Sequence, residues 1–235
     1  MTQSMTRRQM LGTAAATGVA SMAFGQIPDV GEQARSIRIL GLACSPRKGK
    51  TTATAVQAAL DAAAKVDPRI ATRLIDLGGM SFAGWTGGAK PNVPAPAADD
   101  FDKLVLPHLK DPVPAALIIG SPVYFRCMSS LCMAMIERLA ALRQNRLLLA
   151  DAPVGVLSVG GFRNGGQELT IQQIQTALLC HEAMIVGGKP SAHQGATLLN
   201  PGDDDITKDE LGMKTAALLG ERVAEAALKL DRIHQ

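Results

Sequence analysis

Nine consecutive residues, Cys44-Ser45-Pro46-Arg47-Lys48-Gly49-Lys50-Thr51-Thr52, join a short aliphatic run to an Ala-rich one. A strand-to-helix turn of this kind aims backbone N–H groups and the positive end of a helix dipole at one point. Ser45, Thr51 and Thr52 add hydroxyl donors, and Arg47 and Lys48 add charge. The chemistry is anion binding, and phosphate is the obvious anion. Gly49-Lys50-Thr51 also matches the end of a nucleotide-hydrolase loop, G-x-x-x-x-G-K-[ST], but Cys44 stands where the first Gly belongs. The acidic partner that such a loop needs is also misplaced, because Leu147–Asp151 precedes Pro153 rather than ending a strand. An ordinary basic turn is the bland alternative.

Two further loops follow aliphatic runs. One reads Gly120-Ser121-Pro122-Val123-Tyr124-Phe125. The other reads Gly160-Gly161-Phe162-Arg163-Asn164-Gly165-Gly166-Gln167-Glu168. A flavin mononucleotide needs donors for its phosphate, a flat apolar wall for its ring, and amide-type hydrogen bonds at its pyrimidine edge. The first loop meets the first need. Pro122, Val123, Tyr124 and Phe125 meet the second. Gly160, Gly161, Asn164, Gly165 and Gly166 offer close-approach backbone for the third. The chain has one Tyr and five Phe, so Tyr124-Phe125 beside a strand end carries information. Core aromatics and a tight Asn-Gly turn are the bland readings of the same residues.

These loops need elements to hold them. Ile37–Ala43 is a short aliphatic run and reads as a buried strand, and Ile70–Leu77, Ala115–Gly120, Val154–Val159 and the short Ala183–Val186 read as further strands. Thr51–Lys65, a segment from Asp99 or Asp100 to about Leu109, Ser129–Arg143, Gln167–His181 and Thr207–Leu230 read as helices. Strands alternating with helices predict a doubly wound α/β fold of flavodoxin type: a three-layer sandwich on a five-stranded parallel sheet, order 2-1-3-4-5. Ligands of such sheets bind beyond the strands' carboxyl ends. Residues 78–98, rich in Gly and Pro, form a loop long enough to imply a functional or interface role.

The 235 residues suit one domain plus a leader. Aromatics make up only 3% of the chain, which favours helices on a sheet over an aromatic-rich β-sandwich. The net charge of +3 comes without a basic stripe and interleaved aromatics, so no nucleic-acid partner is expected. Cys44, Cys127, Cys132 and Cys180 form no C-x-x-C pair, and no metal site is expected. Met128, Met133 and Met135 read as core, and Asp203–Asp205 as a solvated turn or helix lead-in.

Residues 1–25 carry Arg7-Arg8, a mild apolar run from Met10 to Phe24, and small residues at Ala23 and Gly25. The run is shorter than the roughly 20 residues of a spanning helix, so stable membrane insertion is not expected. The pattern is that of an export signal, and the Arg pair resembles a twin-arginine signal. It implies a periplasmic or exported protein, or a cytoplasmic one if the signal reading fails. Residues 26–36 read as a linker and 37–235 as the folded domain.

The three loops, in order, resemble the NADPH-dependent FMN reductase family, especially its iron–sulfur flavoprotein-like branch, over about Ile37 to Gly187. The resemblance implies FMN, with its phosphate on Ser45, Arg47 and Thr51–Thr52. Pro122–Phe125 would lie against the ring, and Gly161 with Asn164–Gly166 would approach it. A homodimer or homotetramer is implied as well. Three departures stand out. The segment Phe82-Ala83-Gly84-Trp85-Thr86-Gly87-Gly88-Ala89-Lys90 has no Cys, so no cluster is expected. Arg126 follows Tyr-Phe where a small residue is usual. Met133 stands where Lys is common, and the neighbouring Glu137-Arg138 pair reads as structural.

The expected activity is transfer of electrons from NAD(P)H or another donor, through FMN, to a small-molecule acceptor. The chemistry belongs to the flavin, with Tyr124 and Arg126 as the candidate catalytic side chains. The rival reading is a non-enzymatic electron carrier of the cell envelope, since NAD(P)H is scarce outside the cytoplasm.

Overall fold

The computed structural model describes residues 36–85, 87, 97–143 and 147–233. Residues 1–25, expected to be an export signal, and nearly all of the expected linker lie outside them, as do Thr86 and residues 88–96 of the long loop.

Strand β1, Ile37–Ala43, is apolar on both faces apart from the part-buried Arg38. Ile37, Ile39 and Ala43 point into one core, and Leu40 and Leu42 into another. This alternation follows from the two-residue period of a strand buried on both sides. Helix α1, Thr51–Ala64, lays Ala55, Val56, Ala59, Leu60 and Ala63 on the first face. Strand β2, Ile70–Asp76, pairs parallel with β1, from Ile37 opposite Ile70 to Ala43 opposite Asp76.

A π-helical turn, Phe101–Val105, runs into helix α2, Leu106–Lys110. The Asp99 carboxylate caps this segment, accepting from the N–H of Phe101 at 3.0 Å and of Asp102 at 3.3 Å. Strand β3, Ala116–Tyr124, turns through Phe125 and Arg126 into the two-residue antiparallel strand β4, Cys127–Met128. Helix α3, Ser130–Arg138, follows and ends in a 3-10 turn, Leu139–Leu142. Strand β5 is Pro153–Gly160 and helix α4 is Gln167–Leu179. Strands β6, Met184–Ile185, and β7, Ala196–Leu199, precede the long helix α5, Glu210–Ile233.

Helices α1 and α5 cover one face of the sheet, and α2, α3 and α4 the other. Gly220 lets α5 meet α1 closely: a Cβ there would lie 1.9 Å from the Ala59 carbonyl oxygen.

The sheet has seven strands in place of the expected five. The order β2-β1-β3-β5-β6 keeps the expected 2-1-3-4-5 sequence of positions. The two extra strands have separate causes. Strand β4 is the return arm of a hairpin on β3. The fifth position is split: β6 pairs with the start of β5 and β7 with its end. Between them, residues 186–195 fold into a tight excursion closed by Gly188 N–H to the Ala192 carbonyl, 2.6 Å, and Gly195 N–H to the same carbonyl, 3.0 Å. A Cβ on Gly187 would lie 1.8 Å from the His193 carbonyl oxygen, so the chain closes this excursion only with glycine there.

Candidate functional site

The phosphate-type loop lies at the carboxyl end of β1, next to the start of α1. Ser45, Thr51 and Thr52 are buried, whereas Arg47, Lys48 and Lys50 are exposed. The α1 N-cap, Lys50, is extended, no side chain caps the helix, and its first turn carries no acid. The first-turn N–H groups of a helix lack intrahelical acceptors, so this end presents donors and a positive dipole end to an outside anion. The loop is braced from β2. Asp76 accepts from Gly49 N–H at 2.6 Å and from Gly78 N–H at 2.9 Å. A Cβ on Gly78 would lie 2.3 Å from the Lys48 Cα, so only glycine lets the β2 loop pack here.

Two serines tie this loop to the next. Ser129 Oγ donates to the Cys44 carbonyl at 2.6 Å and, as the α3 N-cap, accepts from Cys132 N–H at 3.1 Å. Ser129 N–H donates to Ser121 Oγ at 3.0 Å. Both serines are buried. Cys44 and Cys132 are buried neighbours behind the loop, and the Cys132 thiol together with full burial pushes the Cys44 thiol well above its usual range.

In the predicted ring loop, Pro122 is buried, Val123 half-buried, Tyr124 exposed and Phe125 fully exposed. Phe125 and Arg126 have φ of 52° and 65°, the left-handed backbone of a two-residue hairpin turn. Glycine and asparagine normally fill such a turn, so Phe and Arg here hold strain at the tip. Met128 N–H donates to Gln173 Oε1 at 3.3 Å, which fastens the hairpin to α4.

The glycine loop closes on Gln167, which is buried. Gln167 Oε1 accepts from Gly165 N–H at 2.9 Å, and Nε2 donates to the Phe162 carbonyl at 2.6 Å. Asn164 is exposed. Gly161 is open: the nearest atom that a Cβ there would meet is the Asn200 carbonyl oxygen, 3.9 Å away. Gly166, at φ 110°, packs on the hairpin tip, where a Cβ would come within 3.1 Å of the Arg126 Cα. The structure therefore brings Tyr124, Phe125, Arg126 and Gly161–Gly166 together as one shelf beside the β3 and β5 ends. The phosphate-type loop is joined to that shelf through Ser129 and Ser121.

A cleft of about 630 Å³ adjoins the phosphate-type loop at Pro46 and is lined by Phe82 and the α3 residues Leu131, Met133 and Glu137. It includes none of the predicted ring residues. Met128 and Met135 are core, as expected, but Met133 is exposed beside this cleft. Glu137 accepts from Trp85 N–H at 2.9 Å. Arg138 pairs with Asp99 at 2.5 Å and Asp102 at 2.7 Å and stacks over the Phe101 ring.

Several site residues carry no motif. Asp76, Gln173, Asp204 and Asp209 brace the loops from elsewhere in the chain, and only the tertiary fold makes them neighbours. The Asp203–Asp205 turn does more than face solvent. Its central carboxylate reaches Arg47 at 2.6 Å and Lys50 at 3.5 Å.

An open parallel sheet with an uncapped helix start beside its first strand and glycine-rich loops at the neighbouring strand ends defines a flavodoxin-like protein. This chain belongs to the NADPH-dependent FMN reductase family, whose sequence model matches residues 37–197. It is an FMN-dependent oxidoreductase of that family. It is 35% identical over 192 residues to an iron–sulfur flavoprotein of Methanocaldococcus jannaschii, covering 80% of this chain and 96% of the relative. It is 30% identical to an NAD(P)H dehydrogenase (quinone) of Azorhizobium caulinodans, covering 65% of this chain and 87% of that one. Among solved structures, a flavodoxin-type WrbA-like protein of Agrobacterium tumefaciens superposes with a TM-score of 0.56 at 16% identity, over 83% of this chain and 99% of that chain. That last likeness concerns the fold alone.

Proposed function

We propose that this protein is an exported NAD(P)H-dependent reductase that passes electrons from a reduced nicotinamide to a small acceptor such as a quinone. FMN, when bound, supplies hydride acceptance and onward electron transfer. The chain's own residues bind and orient it. Ser45, Thr51, Thr52 and the α1 start would hold the phosphate, with Arg47 and Lys48 adding charge. Pro122, Val123, Tyr124 and Phe125 would form the apolar wall. Gly161, Asn164, Gly165 and Gly166 would bring backbone N–H groups to the pyrimidine edge. Arg126 would place a cation at the hairpin tip, favouring an acidic acceptor or an anionic ring.

The observation that carries this reading is the convergence of an uncapped helix start, a strained aromatic hairpin and an open glycine loop at adjacent strand ends. The name of the Azorhizobium relative supports the nicotinamide donor and quinone-type acceptor. Its counterpart from Methanocaldococcus is named for a cluster, but residues 78–98 here contain no cysteine, so the flavin is proposed as the sole redox centre. Assembly as a homodimer or homotetramer fits the exposed Phe125, Phe162, Met133 and Leu169. Export rests on Arg7-Arg8 and the short apolar run after it. Among the described residues, no helix is long and apolar enough to cross a membrane.

Anaerobic stopped-flow mixing of the flavin-loaded protein with NADPH tests the proposal. Rapid loss of the oxidised flavin's visible absorbance is expected. Absence of bleaching by NADPH and NADH, with retained reduction by dithionite, would favour the electron-carrier reading that the export signal also supports.

A further inference from the structure

Residues 200–209 lie beyond the stretch matched by the family, yet they touch both ligand loops. At one end, Asn200 N–H donates to the Gly160 carbonyl at 2.9 Å, which pins the segment to the carboxyl end of β5. At the other end, Asp209 is buried and binds Arg163 of the glycine loop through two hydrogen bonds, at 2.5 and 3.2 Å. Between them, Asp204 crosses to the phosphate-type loop. Its Oδ1 lies 2.6 Å from Arg47 Nη1 and its Oδ2 3.5 Å from Lys50 Nζ. Asn200 shapes the turn, accepting from Gly202 N–H and Asp204 N–H, each at 3.2 Å.

We propose that Asp204 is an internal counter-anion of the phosphate loop, a carboxylate clasp that an incoming phosphate monoester displaces from Arg47 and Lys50. The clasp rests on the reading of this loop as the FMN phosphate site. Charge and geometry both support it. A phosphate at the α1 start needs the cations that Asp204 holds, and a carboxylate in contact with them repels a dianion. The Arg47 guanidinium has five N–H donors and can serve two anions in turn or together. The Lys50 ammonium is in looser contact and is the first to be freed. Asp209 and Asn200 keep the base of the clasp in place while its tip opens. Asp204 thus sets how tightly the loop holds its phosphate, and through residues 200–209 it couples phosphate occupancy to the glycine loop.

The test compares FMN dissociation constants of the flavin-stripped wild-type chain, Asp204→Asn and Asp204→Glu at low ionic strength. The Asn variant is expected to bind at least about threefold more tightly, as loss of one exposed like charge predicts. The Glu variant, which keeps the charge, is expected to stay near wild type. The advantage of the Asn variant should shrink at about 0.5 M salt, where screening acts over a few ångströms. Tightening of less than threefold, or weaker binding, overturns the clasp. Weaker binding would make Asp204 a positioning residue for Arg47. Whether wild type binds FMN at all tests the proposed function separately. If it does not, inorganic phosphate is titrated against the same three proteins, and the same threefold ratio supports or overturns the clasp.

Discussion

Arg163 and Asp209 form a two-pronged ion pair, Nη2 to Oδ1 at 2.5 Å and Nη1 to Oδ2 at 3.2 Å, between the glycine loop after β5 and the residue that precedes α5. The same carboxylate accepts from Leu199 N–H at 2.6 Å and Gly212 N–H at 3.1 Å. One buried acid thus ends β7, starts α5 and holds the glycine loop. Burial pushes its pKa up, but the Arg163 guanidinium and the two backbone N–H groups outweigh that and hold the carboxyl below the usual carboxylate range.

Asp209→Asn is therefore expected to lower stability by about 1–3 kcal/mol near neutrality, because it breaks a charge-assisted network around a buried group. Arg163 is 42% exposed, which keeps the loss below that of a fully buried pair. The folded pKa is depressed, so the contribution of Asp209 is present above the unfolded carboxyl's range, about pH 4, and fades as pH falls through the folded value. Urea unfolding of both proteins should show a gap that holds steady above about pH 5 and narrows as pH falls below about 4. A gap constant across that window would contradict the assignment.

Gly78→Ala should act on the phosphate-type loop at a distance in sequence. The new methyl would press on the Lys48 backbone, 2.3 Å from its Cα, and main chain cannot swing aside as a side chain does. Overpacking of this kind costs about 1–3 kcal/mol. If the displacement falls on the loop, FMN affinity should drop about tenfold or more. Isothermal titration checks this, and an unchanged affinity would show that the β2 loop does not brace the site.

The strained hairpin predicts a trade between stability and binding. Phe125→Asn with Arg126→Gly places the residues that this turn prefers at its two left-handed positions. The double variant should gain about 1–2 kcal/mol from relieved strain. It should also bind FMN more weakly, because the wall loses Phe125. A variant that is more stable and binds equally well would show that the strain serves no ligand.

Thiol reactivity should divide the cysteines in two. Cys127 and Cys180 are exposed, and Cys44 and Cys132 are buried. Cys44 is also kept protonated, by the Cys132 thiol and by burial. Native protein should give two fast equivalents with a disulfide reagent and four after denaturation. Three or four fast equivalents would mean that the wall behind the phosphate-type loop opens readily.

The parts of the fold legible in the sequence were those written in local pattern. Ile37–Ala43 is aliphatic apart from Arg38 because both faces of β1 are covered, and the run stops at Cys44-Ser45-Pro46 where the loop begins. The split of the fifth strand position was less visible. Ala196–Leu199 is only four residues long, and it is set apart from Met184–Ile185 by an excursion whose glycines read as ordinary loop. The three loops at the carboxyl ends of β1, β3 and β5 were legible as loops because glycine, proline and hydroxyl residues cluster there. The bracing acids were not, since Asp204 and Arg47 are 157 positions apart and neither spacing nor composition signals their pairing. Arg126 stood out as an unusual residue, but the positive φ that it shares with Phe125 follows from the short return strand β4, which two residues cannot announce in a sequence.

The most direct test of the central claim is the flavin content of the purified protein. The chain, isolated and then denatured, should release FMN, close to one per chain after reconstitution. Ser45→Ala with Thr52→Val should abolish that retention without unfolding the sheet. A colourless protein that takes up no FMN at saturating concentration, while remaining folded, would contradict the account.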